Sequence, residues 1–563
     1  MTERVWHRHY DPGVPKHIAP DGPSLPEMLA TAAADHGGRN ALHFVNHTMS
    51  WAQLAEEVDR LAAAMANAGV ERGDRVAIHM PNLPQTVLAF QATLRLGAVA
   101  VMTNPLYTAP EIEHQWNDAG CRMAFTTDFL YKSRLAPIRD RLPVTDFVVA
   151  SIPEYLRFPL SLLAPLKLRR AEPPLIARVR PERGVHLFRA FLKSAGGPTS
   201  AELPAPEDLA ALQYTGGTTG VSKGAMLTHA NLSANARQVA SWIPDLTRGT
   251  EVFLTVLPLF HVFGLTVAMN FPLAIAGAMV IVPNPRDIDG IIKGLRKHRV
   301  TVFPIVPAIL NPLCDHPDLN ARCTENLRVC VSGSAPLPEK ALRRFEKITG
   351  GKIIEGFGLT EASPVTHVNP VDGTRKVNTI GLPLPDTDSR IVAIDTGKEV
   401  PAGEEGELHL AGPQVMRGYW NRPEETATAL RDGWLCTGDL ATMDEEGYHQ
   451  IVGRKKDMIL ASGYNIYPDE IDQVLVSHSG VLEAATIGLP DEKRGETVKS
   501  FLVRETGSSV TEDEVLSWCR ERLAAYKVPR AIEFRDELPK SAVLKILRRE
   551  LRDEELRKRS GES

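Results

Sequence analysis

Among its 563 residues the sequence has six cysteines but no CxxC pair, no excess of basic charge, and no apolar run at its start. Each absence excludes something. The scattered cysteines (Cys121, Cys314, Cys323, Cys330, Cys436, Cys519) suit reduced thiols of a cytoplasmic chain and not a disulfide framework. A formal net charge of −5 offers no basic footprint for nucleic acid. The opening MTERVWHRHYDPG does not read as a signal peptide. Internal repeats and low-complexity tracts are also missing. What is present is ordinary for a globular protein, with 43% hydrophobic and 24% charged residues, in a length that calls for two or more domains.

One uncharged run is long enough to span a bilayer, VFGLTVAMNFPLAIAGAMVIVP at 262–283. Asn270, Pro272 and Gly277 interrupt it, basic and aromatic anchors do not flank it, and it divides into a helix followed by a strand. The expectation is therefore buried structure and not a membrane span.

Apolar strands (DRVAIHMP, VFLTVL, VTVFPIVP, LRVCVSGSAP, KIIEGFG) alternate with amphipathic helices through the first two-thirds of the chain. Ser50 and Gln53 stand in capping-box spacing before one helix, which ends at Gly69. Several strands run straight into Gly/Ser loops, where ligands of open α/β sheets lie. Around 385–430 the texture becomes hairpins, and after GRKKD a small α+β unit begins, with a second capping box at Thr511 and Glu514. The charged tail RRELRDEELRKRSGES predicts a solvated, fraying helix. The predicted fold is α/β: a large N-terminal domain of layered α/β sheets with a β-rich subdomain (1–453, the latter about 385–453), a hinge at 454–457, and a small mobile α+β C-terminal domain (458–563).

YTGGTTGVSKGAMLTH, from Tyr214 to His229, crowds glycines and hydroxyls beside one lysine. Bare amides, hydroxyls and an ammonium make a phosphate cradle. It is not a Walker loop, because Ser222 precedes Lys223 where Gly is required and Gly224 follows it. Four other stretches accompany it: GFGLTEASP (356–364), GWLCTGDLA with Asp439, GRKKDMILASGYNIYPDEID (453–472) and LPKSAVLKILRREL (538–551). Singly each reads as a turn, a loop or a solvated helix. In this order, over nearly the whole chain, they resemble the adenylate-forming superfamily of acyl-CoA synthetases, luciferases and adenylation domains, and within it the bacterial long-chain fatty acid–CoA ligases.

That resemblance implies ATP, Mg²⁺, coenzyme A and a fatty acid as ligands. It puts the loop Thr215, Gly216, Gly217, Thr218, Thr219, Gly220 and Lys223 on the ATP phosphates, and Thr215 with Glu361 at Mg²⁺, which takes phosphate oxygens and few protein ligands. Gly333, Ser334, Ala335, Glu355, Gly356, Phe357 and Gly358 would form the nucleotide pocket, with Phe357 against adenine and Thr360 near the α-phosphate. Asp439 would hold the ribose hydroxyls, with Arg454 beside it. Lys545 would be the adenylation lysine, Lys456 the hinge, and Gly463 part of the CoA tunnel. Leu544 departs from the pattern, since the family usually has Gly there, and implies a stiffer loop. The chemistry follows from a poor electrophile: a carboxylate attacks the α-phosphorus of ATP to give acyl-AMP and pyrophosphate, and a thiol then displaces AMP.

LPLFHVFGLTVAMNF contains no carboxylate to hold a substrate ammonium, which argues against an amino-acid adenylation domain. An acyl tunnel past His261, Phe263 and Leu265 fits better, with His261 closing its carboxylate end. No tryptophan stands near Leu265, where long-chain relatives carry a gate, so chain length stays open. The alternatives are a ligase for medium-chain or other carboxylic acids, a stand-alone adenylation enzyme feeding a carrier protein, and a membrane carrier without chemistry. A homodimer is also left open. Finally, residues 157–180 hold six Lys/Arg and one acid, a local +5, interleaved with Phe158 and leucines. That combination suits peripheral contact with an anionic membrane, such as the inner face of the plasma membrane, although Pro159 and Pro165 oppose a regular helix there.

Overall fold

The computed structural model describes residues 4–215, 222–461, 464–491, 494–541 and 544–560. Two large sheets form the body of the chain. A nine-stranded sheet runs in the order 382–383, 365–368, 352–358, 329–332, 302–305, 252–255, 278–281, 40–44, 47–50. Its central six strands are parallel, as expected where β-branched runs such as VFLT and VCVS are buried on both faces. A seven-stranded sheet has the order 185–187, 146–150, 121–127, 75–79, 99–102, 209–215, 223–228, all parallel except the last pair. The helices Trp51–Asn67 and Pro84–Arg95 pack in the core of this body. The first carries the expected capping box, Ser50 with Gln53.

A five-stranded antiparallel sheet over 388–454 follows, built on the hairpin Asp388–Val392 and Gly406–Ala411. The chain ends in a small α+β unit with its own five-stranded sheet, whose long strands are Val481–Asp491 and Gly495–Arg504, and its own apolar core around Ile471, Leu502 and Val515.

The uncharged run 262–283 folds as a broken helix over Val262–Ala274 and the strand Ala278–Ile281, largely buried in the body. No helix among the described residues is long and apolar enough to cross a membrane. Two local expectations need correction. The tail helix Arg548–Ser560 is docked and not free: Leu551 is fully buried, Glu555 pairs with Lys499 at 2.7 Å, and Arg535 grips Glu554 through two 2.8 Å bonds. Its alternating charges meet partners on the sheet, which the sequence alone could not supply. And 160–169 is helical despite its prolines, because Pro159 sits at the N-cap and Pro165 lies in a helix with no buried residue.

Candidate active site

The predicted site residues stand mainly at the carboxyl ends of strands in the two large sheets, beside the third sheet. Thr215 ends the strand Leu209–Thr215 and Lys223 begins Lys223–Thr228, and the two are direct cross-strand partners. The tip between them, with Gly216, Gly217, Thr218, Thr219 and Gly220, lies outside the described residues, as does Gly463.

Lys223 is anchored from a segment that no motif flagged. Its ammonium lies 3.5 Å from Glu425 and faces the ring of Tyr419 at 5.7 Å. The Tyr419 hydroxyl donates to Glu361 at 2.7 Å, and Met416 N–H donates to the Glu361 carbonyl at 2.7 Å. Residues 416–420 therefore tie the lysine and the carboxylate into one cluster. Tyr419 sits in VMRGYW, some two hundred residues from the loop it braces, with no spacing signal of its own.

Gly333 to Ala335 follow the strand Val329–Ser332. A Cβ at Gly333 would stand 2.9 Å from the Phe263 ring, so the loop needs glycine to lie against it. Glu355 lies half-buried beneath this loop and accepts from Leu337 N–H at 3.1 Å; loss of water around it pushes its carboxyl up to about 8. Gly356, Phe357 and Gly358 complete the strand Lys352–Gly358. A Cβ at Gly358 would lie 2.2 Å from the Pro364 carbonyl oxygen. The Phe357 ring is edge-on to His367 at 6.2 Å, and His367 in turn to His449 at 4.5 Å. Thr360 and Glu361 open a short 3₁₀ turn directly after that strand.

Asp439 and Arg454 are cross-strand partners in the third sheet, with Nε to Oδ1 at 2.9 Å. Burial pushes the Asp439 carboxyl up, against the pull of Arg454 and Lys545. Lys545 comes from the small unit, is exposed, and lies in the gap beside Arg454, Asp439 and His261. The Arg454 guanidinium first, then the surrounding protein, hold its ammonium down to about 8. Arg548, three residues on, pairs with Asp469 and Asp472 and anchors the loop's base.

His261 caps the helix that starts at Val262, its Nδ1 accepting from Phe263 N–H at 3.3 Å. Burial, and secondarily Lys545, depress its pKa to about 4, so the ring is neutral at pH 7 with the proton on Nε2. His261, Phe263, Ile309, Ser334 and Leu544 line a narrow apolar cavity beside Lys545. Leu265 is instead fully buried in the core. Leu544 has φ +61°, a left-handed conformation that costs an L-residue about 1–2 kcal/mol. Lys456 lies in the exposed turn after the strand His449–Arg454, where Asp457 N–H and Met458 N–H both donate to Arg454 O at 3.0 Å.

The site thus brings a hydroxyl and lysine at a loop base, a carboxylate, a glycine-lined pocket with an aromatic wall, an acid–guanidinium pair and a lysine of the small unit to one gap. The pattern described as AMP-binding enzyme matches residues 29–420, and that of the AMP-binding enzyme C-terminal domain matches residues 470–545. The chain belongs to the AMP-binding enzyme family. A long-chain-fatty-acid–CoA ligase of Bacillus subtilis (strain 168) is 41% identical over 557 residues, covering 99% of both chains. A feruloyl-CoA synthase of Amycolatopsis sp is 35% identical and covers 92% of this chain and 95% of its own. Among solved structures, ATP-bound MatB from Rhodopseudomonas palustris is 30% identical with a TM-score of 0.82, covering 94% of this chain and 98% of that one. In this AMP-binding enzyme, glycine-lined strand ends and a narrow apolar cavity lie near Lys545.

Proposed function

We propose that this AMP-binding enzyme is an ATP-dependent long-chain fatty acid–CoA ligase. The supporting observation is the seating of Lys545: it projects from the small unit between the Asp439–Arg454 pair and the His261 cavity. A cation there meets the α-phosphate of a nucleotide whose ribose lies on Asp439 and whose adenine lies against Phe357. The fatty-acid carboxylate, entering past His261, attacks that phosphorus, pyrophosphate departs, and Lys545 neutralises the charge that builds on the phosphorus oxygens. Thr360 stands near the same oxygens. Neutral His261 offers its Nε2–H to the carboxylate without adding a charge to the apolar cavity.

Magnesium fits the donors present: the Thr215 hydroxyl and the Glu361 carboxylate are hard oxygens beside the loop. Among the described residues no three His, Cys, Asp or Glu side chains converge into a cage, so phosphate oxygens and water would complete the shell. When bound, the ion would neutralise the phosphate charge that grows as pyrophosphate leaves. For the thioester step the small domain, 458–563, turns about Lys456 in the hinge 454–457, withdrawing Lys545 from the body 1–453 and bringing the loop with Gly463 to the coenzyme A thiol. The cavity around His261 has no charged side chain among its lining residues, which disfavours an amino-acid substrate, and the long-chain acyl group is preferred because the more similar of the named relatives carries that substrate in its name.

The enzyme works in the cytoplasm, in peripheral contact with the anionic inner face of the plasma membrane. The helix Leu160–Arg169 supports this contact: Phe158, Leu162 and Leu166 are 78%, 68% and 57% exposed beside Lys167, Arg169 and Arg170.

The test is pyrophosphate and AMP formation over straight-chain acids of increasing length, with and without coenzyme A. Pyrophosphate release should need both ATP and acid, and kcat/KM should rise about fourfold per methylene while the chain is still being buried. Activity on an aromatic or dicarboxylic acid exceeding that on every long-chain acid would overturn the substrate assignment.

A further inference from the structure

The loop that carries Lys545 closes as a tight hairpin. Leu544 N–H donates to Ser541 O at 2.9 Å, Ser541 N–H to Lys545 O at 2.8 Å, and Leu547 N–H to Pro539 O at 2.9 Å. A short hairpin loop of this kind ends in a left-handed residue, a place made for glycine. Leucine stands there instead, at φ +61°. The compensation is on the other side of the domain gap. The Leu544 side chain is partly buried against the core of the nine-stranded sheet and forms one wall of the cavity shared with His261, Phe263, Ile309 and Ser334.

Resting on the ligase reading, we infer that Leu544 is a positioning and specificity-determining residue: its side chain closes the cavity against the first carbons of the acyl group and thereby seats Lys545. Two consequences follow from shape. An unbranched chain leaves room for the leucine, so acyl group and loop pack together and the ammonium is held at the phosphate. A substituent on the carbon next to the carboxylate competes with the leucine for the same space, and the lysine is displaced with it. When the domain turns for the second step, the leucine leaves with the lysine and that wall opens. A glycine here would relax the backbone but leave the cavity unwalled.

The experiment compares Leu544→Gly and Leu544→Ala with the wild type in pyrophosphate release, using a straight-chain saturated acid and its 2-methyl homologue. The readout is the ratio of kcat/KM for the two acids, which cancels the concentration of active enzyme, so partial misfolding cannot imitate the effect. The ratio favouring the straight chain should fall about tenfold in both variants, the scale of overpacking by a methyl group. The straight-chain acid should lose activity mainly through kcat, because Lys545 is no longer seated at the phosphate, while conversion of supplied acyl-adenylate to thioester stays near the wild-type rate. Alanine keeps the left-handed strain and removes the side chain. A wild-type ratio in alanine with a changed ratio in glycine would assign the effect to the backbone and overturn the inference, as would an unchanged ratio in both. Absence of pyrophosphate release by the wild type with either acid would instead sink the ligase reading, and this inference with it.

Discussion

Lys545 is the residue proposed to act in adenylation, and its environment sets a testable pH dependence. With its pKa held down to about 8 by Arg454 and the surrounding protein, it is mostly cationic at pH 7 and loses that charge as pH rises. The kcat/KM of pyrophosphate release, measured without coenzyme A so that no thiol titrates, should therefore fall above about pH 8, tenfold per further unit. In kcat the limb should move to higher pH, because bound phosphate favours the ammonium. Lys545→Arg, which cannot lose its proton in this range, should show no limb near 8 in whatever activity remains. Lys545→Ala should lose pyrophosphate release by at least about 10²–10³-fold yet still convert supplied acyl-adenylate to thioester. Equal loss of both half-reactions would remove the lysine from its assigned role. The neighbouring Arg454 matters here through repulsion as much as through its bond to Asp439.

At the scale of elements, the helix Leu160–Arg169 buries none of its residues and leaves Leu162, Leu163 and Leu166 exposed. A helix in water keeps an apolar face only where that face has a partner. Its prolines did not prevent it, since one starts the helix and the other stands on a turn open to solvent. Each basic group near an anionic bilayer contributes about 1 kcal/mol, and the inserted apolar groups add to that. Reversing three charges in Lys167→Glu/Arg169→Glu/Arg170→Glu should thus weaken sedimentation with anionic vesicles by more than about 100-fold and flatten its salt dependence. Turnover on detergent-dispersed acid should stay unchanged. Wild-type binding that is indifferent to lipid charge and salt would leave the helix with no membrane role. The tail helix makes the opposite case: its similar mixture of charges is spent on Lys499, Arg535 and Glu496 of its own domain.

At the scale of the molecule, both polar and apolar contacts join the small unit to the body. Lys340 pairs with Glu505 at 2.7 Å across the gap, on an exposed rim where such a bridge is worth less than about 1 kcal/mol. Leu544 adds one apolar contact. Lys456→Pro, which restricts φ at the turn after the strand His449–Arg454, should spare pyrophosphate release and slow thioester formation by about tenfold or more. Normal overall turnover in that variant would place the pivot elsewhere.

Periodicity and turn residues in the sequence were enough for the alternation of strands and helices, both capping boxes and the change of texture near 385, because those are local: a serine three residues before a glutamine caps whatever follows. The ordered motifs likewise indicated which residues belong to one site, through resemblance and not through spacing. Other features depended on partners distant in sequence. Tyr419 reaches Glu361 and faces Lys223 only because residues 416–420 lie alongside the strand 223–228. His367 became buried and Glu355 partly covered only when strand 352–358 entered the nine-stranded sheet. The tail helix found its ion pairs only on the finished C-terminal sheet. Leu544 shows the division most clearly. Its departure from glycine is plain in the sequence, but the left-handed backbone and the cavity that receives the side chain exist only where the small C-terminal unit meets the body.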